Sequence, residues 1–173
     1  MRVLVTGAAG QLGSDVVKKL RQIRMEAIGA DLTEFDLLDG EATRGFVRDC
    51  KPDMVVHCAA YTKVDQAEEE PELCERVNAS GTENIALACR ESGSGLCYLS
   101  TDYVFDGTAE EPYETGDVPN PVSVYGRSKY KGERLAASLV PNHYILRTSW
   151  VFGANGNNFV KTMLKLGRHQ KTL

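Results

Sequence analysis

Gly7-Ala8-Ala9-Gly10-Gln11-Leu12-Gly13 decides the fold of this chain, because it connects a β-branched run to an amphipathic one. The run before it, Arg2 to Thr6, is typical of a short buried strand, whereas Leu12 to Ile23 has apolar residues at helical spacing. A glycine turn between a strand and a helix lets the backbone approach a pyrophosphate, whose charge then lies at the helix N-terminus. The spacing is G-x-x-G-x-x-G rather than G-x-G-x-x-G, so a purely structural turn is the alternative. The strand before it and the helix after it favour a dinucleotide.

Strand and helix patterns alternate along the rest of the chain. Strands are predicted at Glu26–Ala30, Asp53–Cys58, Leu96–Ser100 and Tyr144–Thr148, and helices at Gly40–Cys50, Glu72–Ser92, Ser123–Leu139 and Asn158–Leu173. This alternation, with short connections, predicts a doubly wound α/β domain of the Rossmann type, in which helices cover both faces of a parallel sheet. The one long loop is expected at Asp106–Pro121, which is rich in glycine, proline and acidic residues.

The composition excludes several classes of function. Hydrophobic residues make up 42% of the 173 and charged residues 25%, which is the balance of a globular domain with a core of its own. The net charge is −4 and no basic stretch is long enough to follow a phosphate backbone, so no nucleic-acid partner is expected. No apolar run approaches the roughly 20 residues of a membrane helix, and a strand pattern begins directly after Met1. We therefore expect a cytoplasmic protein with no membrane partner. Five cysteines without a Cys-x-x-Cys pair and three scattered histidines predict reduced thiols and no metal site.

Asp31 follows directly on the second predicted strand. A carboxylate at this position accepts hydrogen bonds from the adenosine ribose and repels a 2′-phosphate, and no arginine follows it to compensate. NADH is therefore favoured over NADPH, and a strand-end acid that only faces water is the alternative. Asp36 and Leu37 are placed to hold the adenine edge, and Ala59-Ala60-Tyr61-Thr62, after the third strand, to line the middle of the cofactor.

Tyr125 and Lys129 lie four residues apart in a predicted helix, on one face and one turn apart. Such a pair also occurs by chance, so the spacing alone does not indicate a catalytic role. The evidence for that role is the position of the pair, because the preceding strand ends in Ser100-Thr101 at the expected mouth of the cleft.

The chemistry of ketone reduction fits this pair. Hydride transfer from a nicotinamide requires a proton for the developing alkoxide, and a tyrosine, whose ordinary pKa is about 10, must be tuned to supply it. An ammonium group one turn away favours the phenolate and lowers that pKa. We interpret Tyr125 as the proton donor, Lys129 as the group that tunes it and holds the ribose hydroxyls, and Thr101 as the group that positions the substrate oxygen. A half-buried tyrosine beside a solvated lysine is the alternative.

Taken together, these residues resemble the extended short-chain dehydrogenase/reductases and, among them, the dTDP-4-dehydrorhamnose reductases. The resemblance spans the whole chain. Its segments are Val5–Gly13, Cys58–Asp65, Ser100–Gly107, Pro121–Lys129, Leu146–Gly153 and Asn158–Met163. The runs Ser-Thr-Asp-Tyr-Val-Phe at 100–105 and Arg-Thr-Ser-Trp at 147–150 are its most specific parts.

The resemblance implies a reductase that converts the C4 ketone of dTDP-4-dehydro-L-rhamnose into dTDP-L-rhamnose, a surface-polysaccharide precursor, with NADH or NADPH. The implied catalytic residues are Thr101, Tyr125 and Lys129, and the implied contacts of the nucleotide-sugar substrate are Thr101, Asp102, Tyr103 and Trp150. The implied cofactor-binding residues are Gly7, Gly10, Gln11, Leu12, Asp31, Asp36, Leu37, Ala59, Ala60, Tyr61, Thr62, Tyr125 and Lys129. Asn78 occupies a position where this superfamily often has an asparagine, and a helix-surface amide is the alternative.

The sequence departs from the family in one respect, since it ends before the C-terminal segment that builds most of the sugar-nucleotide pocket. The last predicted helix also runs to Leu173 without a stop signal. Residues 1–173 are therefore expected to be the dinucleotide-binding domain of a longer chain, and a naturally short protein is the alternative. The resemblance also implies that a homodimer can form, although members that dimerise through magnesium use C-terminal carboxylates.

Three other functions use the same fold. A dehydratase needs an Asp-Glu pair after the threonine, and here Asp102 is followed by Tyr103, which disfavours elimination. A nucleotide-sugar epimerase uses the same tyrosine and lysine and stays open. A non-catalytic NAD(P)-binding regulatory subunit, similar to that of methionine adenosyltransferase, has no need of the catalytic residues, and all three are present.

Overall fold

Strands and helices alternate along residues 1–169, which are the residues described by the computed structural model. The strands are β1 (Arg2–Thr6), β2 (Glu26–Ala30), β3 (Met54–His57), β4 (Gly95–Thr101) and β5 (His143–Thr148). The helices are α1 (Gln11–Gln22), α2 (Gly40–Cys50), α3 (Val64–Ala67), α4 (Pro71–Glu75), α5 (Gly81–Ser92), α6 (Val124–Leu139) and α7 (Phe159–Leu166). A π-helical turn (Arg76–Ser80) separates α4 from α5, and a 3-10 turn (Asp102–Val104) follows β4.

The five strands form one parallel sheet in the order β2-β1-β3-β4-β5. The chain leaves β1 towards β2 on one side and returns to β3 on the other, so the connections diverge at the carboxyl ends of β1 and β3. Thr6 is paired with His57 at this point. Open α/β sheets bind ligands at such a divergence, which therefore places the expected cleft above Thr6 and His57.

Hydrophobic side chains cover both faces of the sheet. On one face Leu4, Val55 and Leu96 are fully buried in a cluster with residues of α2, α5 and α6. On the other face Val3 and Val5 pack against Val17 of α1. Alternate residues of one strand thus point to opposite layers, as expected for strands buried between helices. The prediction of a doubly wound α/β fold is confirmed.

The helix α6 begins where its sequence provides a cap. Ser123 accepts a hydrogen bond from the Gly126 amide at 3.0 Å through its hydroxyl, which satisfies one of the free N–H groups of the first turn. The helix then packs on β4, and Tyr125 and Lys129 lie on its buried side. The cap and this packing fix where the predicted catalytic pair enters the site.

The predicted boundaries are close to the observed ones, with one substantial exception. The predicted Glu72–Ser92 helix consists of α4, the π-helical turn and α5, so the single-helix prediction was wrong in its middle. The short elements Val64–Ala67 and Asp102–Val104 were not predicted. The predicted Asn158–Leu173 helix is observed as Phe159–Leu166, and its last four positions lie outside the described residues. Among residues 1–169, no helix is both long enough and apolar enough to cross a bilayer.

Candidate active site

A cleft of about 920 Å³ opens at the carboxyl ends of β1, β3 and β4. Apart from Tyr61, every residue predicted for the site lines it: Gly7, Gly10, Gln11, Leu12, Asp31, Asp36, Leu37, Ala59, Ala60, Thr62, Thr101, Asp102, Tyr103, Tyr125, Lys129 and Trp150. The sequence positions are far apart, and the sheet brings them together because parallel strands end at the same edge. The cleft extends from the glycine turn to the aromatic residues after β4 and β5.

Tyr61 points away from this cleft. Its hydroxyl donates to a carboxylate oxygen of Glu70 at 2.8 Å, and its ring packs in a cluster that contains Cys74 and Tyr125. Only its neighbours Ala60 and Thr62 line the cleft. We attribute this to the alternation of side-chain directions along an extended loop.

The glycine turn has the geometry of an anion cradle. Gly7 has φ of +67°, and a Cβ there would lie 2.7 Å from the Ala59 amide nitrogen, so the position tolerates only glycine. Gly10 caps α1 and has no side chain that could occupy the amides of the first turn. No acidic residue lies in that turn either. The positive end of α1 is therefore accessible to a pyrophosphate, and these residues fit a dinucleotide.

Asp31 holds the end of β2 against the glycine turn. One carboxylate oxygen accepts from the Ala9 amide at 2.9 Å, and the other accepts from the Leu32 amide at 2.9 Å. These bonds orient the carboxylate at the edge of the cleft, where ribose hydroxyls can donate to its remaining lone pairs. Asp36 and Leu37 line the same end of the cleft, as expected for an adenine site.

Tyr125 and Thr101 lie together at the other end of the cleft, and both are buried. The Thr101 hydroxyl donates to Asp102 at 3.0 Å and accepts from the Tyr103 amide at 3.2 Å. Burial raises the pKa of the Tyr125 phenol, and the adjacent Thr101 hydroxyl opposes that rise. The predicted lowering of the Tyr125 pKa is therefore not found, because the cost of burying a phenolate is the larger effect.

Lys129 is 3% exposed and lines the cleft from its buried side. Its ammonium group donates to the Leu99 carbonyl oxygen at 2.6 Å and lies 4.2 Å from the centre of the Tyr98 ring. Burial lowers its pKa to about 7, against a smaller opposing effect of Glu133. The side chain is thus a buried, weakly basic amine, and the solvated lysine that was the alternative is excluded.

Asn78 connects the π-helical turn to the site, a role that the sequence left open. Its side-chain oxygen accepts from the Tyr61 backbone amide at 2.8 Å, and its side-chain NH2 group donates to the Tyr61 backbone carbonyl oxygen at 3.0 Å. The same NH2 group donates to the Ser128 hydroxyl at 2.9 Å. Asn78 is 1% exposed, so the helix-surface alternative was wrong. It ties the loop after β3 to the helix that carries Tyr125 and Lys129.

Three contacts of the chain after β5 were not predicted from the sequence. Gln11 donates to the Val151 carbonyl oxygen at 2.9 Å and accepts from Asn158 at 3.0 Å, so it joins the glycine turn to this segment. The Ser149 hydroxyl donates to Asp102 at 2.6 Å. Trp150, next to it, has φ of +52° and a side chain that is 74% exposed. Such a backbone conformation is rare for a bulky residue and holds the indole out at the rim of the cleft.

Comparison with known proteins agrees with this arrangement. The family model described as "RmlD substrate binding domain" matches residues 1–173. A dTDP-4-dehydrorhamnose reductase of Aggregatibacter actinomycetemcomitans is 43% identical over 173 residues, which are 99% of this chain and 59% of that protein. A protein of the same name from Salmonella typhimurium is 40% identical over 176 residues, with 100% of this chain and 59% of that protein covered. This chain thus spans about three fifths of the length of these relatives.

The solved structures include a dTDP-4-dehydrorhamnose reductase of Bacillus anthracis in complex with NADP. It has a TM-score of 0.94 and 43% identity, and the match covers 98% of this chain and 61% of that one.

Proposed function

The chain belongs to the RmlD substrate binding domain family, and we propose that it is the cofactor-binding part of a reductase that converts dTDP-4-dehydro-L-rhamnose into dTDP-L-rhamnose with NAD(P)H. The observation that carries the proposal is the cleft that joins the glycine turn to Thr101, Tyr125 and Lys129. Relatives with 40–43% identity are named for this reaction.

The residues present fit a nicotinamide dinucleotide along the cleft. Gly7, Gly10 and the first turn of α1 bind its pyrophosphate, and Asp31 binds its adenosine ribose. Ala59, Ala60 and Thr62 line its middle portion. The bound nicotinamide supplies the hydride for the C4 carbonyl.

Tyr125 gives the proton that the reduced oxygen requires. A phenol, whose ordinary pKa is about 10, is protonated at neutral pH, and burial, which raises the pKa of Tyr125, keeps it so; the group therefore enters the reaction as an acid. Thr101 positions the same substrate oxygen through its hydroxyl. This hydroxyl donates to Asp102 in the structure and can rotate to donate to the substrate oxygen instead. The Lys129 amine holds the ribose hydroxyls and, when protonated, stabilises the phenolate that remains on Tyr125.

The sugar nucleotide is held at the rim of the cleft by aromatic side chains. Tyr103 and Trp150 are exposed there, and Tyr103 packs edge-to-face on Tyr125 with the ring centres 5.7 Å apart. We propose that residues 1–173 form the dinucleotide-binding domain and that a further segment completes the sugar pocket. We also propose that the active protein is a cytoplasmic homodimer.

We further propose that NADH is preferred to NADPH. The Asp31 carboxylate is fixed by the Ala9 and Leu32 amides, so it cannot swing away from a 2′-phosphate. Two like charges held close together in this way cost affinity. A relative from Bacillus anthracis was solved in complex with NADP, so the preference is a property to be measured on this protein.

The test is oxidation of NADH by the complete protein with dTDP-4-dehydro-L-rhamnose, followed by absorbance, for the wild type and Tyr125→Phe. We expect Tyr125→Phe to lower kcat by about a hundredfold or more, since general acids contribute about 10²–10⁴. The control is Tyr144→Phe, because Tyr144 is an exposed tyrosine on β5. Tight NADH binding without oxidation in the wild type would instead indicate the regulatory subunit, and interconversion of two sugars without net oxidation would indicate the epimerase.

A further inference from the structure

A second cleft adjoins the cofactor cleft at Asp31. It has a volume of about 840 Å³ and lies between α1 and the loop after β2. Ala9, Ala30 and Asp31 line both clefts, so this side cleft, as we call it, begins where the proposed cofactor site ends. A group that projects beyond the ribose bound at Asp31 would enter it.

The side cleft contains charges of both signs. Lys18 and Arg21 line it from α1, and Glu34 lines it from the loop after β2. Neither cation forms a salt bridge within 4.0 Å to an acid among the described residues. The two positive groups are therefore available to an anion, which Asp31 and Glu34 oppose.

Glu34 is held in this position by its own hydrogen bonds. One carboxylate oxygen accepts from the Asp31 amide at 2.7 Å, and the other accepts from the Thr33 hydroxyl at 2.8 Å. Asp31 and Glu34 thus form a pair of carboxylates fixed on one turn. A glutamate that only faced water would have neither bond, and its charge would move away from an incoming anion.

We propose that the side cleft receives the 2′-substituent of the cofactor and that Glu34 is a specificity-determining residue that disfavours a 2′-phosphate. This inference rests on the proposed function and adds to it a residue that is separate from Asp31. A ribose hydroxyl is neutral and is indifferent to the Glu34 charge, whereas a 2′-phosphate carries close to two negative charges. Lys18 and Arg21 act in the opposite direction, so NADPH binds, although less tightly than NADH.

The test is direct binding of NADH and of NADPH to the complete protein, measured by titration calorimetry at low and at high salt. The Glu34→Gln variant keeps an acceptor for the Asp31 amide and loses only the charge. We expect it to bind NADPH three- to tenfold more tightly at low salt, an order-of-magnitude effect of one charge across a solvated cleft, with NADH unchanged. The gain should shrink at high salt.

Two matched controls separate charge from structure. Glu91→Gln removes an exposed charge near the end of α5, where the chain leads into the amino end of β4 and away from the side cleft, and should change neither affinity. Lys18→Gln should weaken NADPH alone, whereas Lys19→Gln, one residue along the same helix and outside the side cleft, should not.

The possible results are distinct. An unchanged ratio of the two affinities in Glu34→Gln overturns the inference, and equal weakening of both cofactors shows that Glu34 only shapes the loop, which overturns it as well. Absence of NADH and NADPH binding in the wild type would instead refute the proposed function.

Discussion

At the scale of single residues, Lys129 is the most unusual group of the site. An ammonium group that is almost fully buried loses its hydration, and here it keeps a carbonyl oxygen and an aromatic ring as partners. Its pKa falls to about 7 in the folded chain, whereas an unfolded lysine has a pKa of about 10.4. Between these values the unfolded state binds a proton that the folded state does not, so stability rises with pH.

We therefore predict that the free energy of unfolding rises by about 2 kcal/mol from pH 7 to pH 9 through Lys129 alone, at about 1.4 kcal/mol per pH unit of full difference. Lys129→Met should lack this part of the rise. Urea denaturation of both proteins at several pH values measures it. Lys131→Met serves as the control, since Lys131 is an exposed lysine of the same helix paired with Glu75. Parallel curves for the wild type and Lys129→Met would show that the buried amine is not perturbed.

The sequence predicted the residues of the site better than their protonation. The spacing of Tyr125 and Lys129 and their position after a strand that ends in Thr101 are local facts, and the folded sheet brings the three together as predicted. Burial depends on the packing of distant elements, so the direction of the Tyr125 pKa could not be predicted from a lysine four residues away. The contacts of Asn78 were hidden for the same reason, since its partners Tyr61 and Ser128 are 17 and 50 residues distant.

At the scale of the elements, the contact between α6 and the 3-10 turn after β4 decides the geometry of the catalytic residues. Gly126, in the first turn of α6, lies against the Tyr103 backbone, and a Cβ there would overlap the Tyr103 carbonyl oxygen. The approach is possible only without a side chain. It brings Tyr125 next to Tyr103 and Thr101.

Gly126→Ala should force α6 away from this turn. We expect a loss of stability of about 1–3 kcal/mol, as for other overpacked contacts, and a larger fall in kcat than in NADH affinity, because the displaced Tyr125 serves the chemistry. Denaturant unfolding, steady-state kinetics and NADH titration measure the three quantities. Gly45→Ala in α2 is the matched control, since the nearest atom to a Cβ there is an Arg48 side-chain nitrogen at 3.8 Å. The control should gain about 0.5–1 kcal/mol, as alanine does in a helix interior. Equal effects at both glycines would contradict the close approach.

Regular elements were predictable because their periodicity lies within one segment. The bounds of β1, β2 and α2 agree with the sequence pattern to the residue. The π-helical turn at Arg76–Ser80 was not predictable, since it adds one residue to a helix whose apolar spacing continues on both sides. A tertiary contact fixes the position of this turn, because the Asn78 side chain bonds to the loop after β3.

At the scale of the whole molecule, one buried polar network connects β1, which precedes the glycine turn, to α6, which carries Tyr125 and Lys129. Thr6, at the end of β1, bonds to His57, at the end of β3, which in turn bonds to Thr82 of α5. The Thr82 hydroxyl donates to the Asn78 backbone carbonyl oxygen at 2.7 Å, and the Asn78 side-chain amide donates to the Ser128 hydroxyl of α6. The order of the strands was open from the sequence, and with it the fact that His57 would lie at the centre of the sheet.

His57 makes the stability of this network dependent on pH. It is fully buried, its imidazole nitrogens lie 2.6 Å from the Thr6 hydroxyl and 3.3 Å from the Thr82 hydroxyl, and the charged group that acts on it is Lys129. Burial, followed by the Lys129 charge, lowers its pKa to about 3, against about 6.5 for an unfolded histidine. Below pH 6.5 His57 binds a proton in the unfolded chain but stays neutral in the folded chain. Stability is therefore lost as the pH falls from 6.5 towards 3.

We predict that this single group lowers the free energy of unfolding by about 2 kcal/mol between pH 6.5 and pH 5, at about 1.4 kcal/mol per pH unit. The measurement is the difference between urea unfolding of the wild type and of His57→Gln at each pH, since the exposed carboxylates contribute equally to both. His57→Gln should be the less stable protein at pH 7.5, because its amide fits the two threonines less well. It should nevertheless lose less stability on acidification. His143→Gln, which replaces a less buried histidine on β5, serves as the control for the loss of an imidazole. If the slopes of the wild type and His57→Gln coincide, protonation of His57 does not oppose folding, and the acid sensitivity must come from the carboxylates.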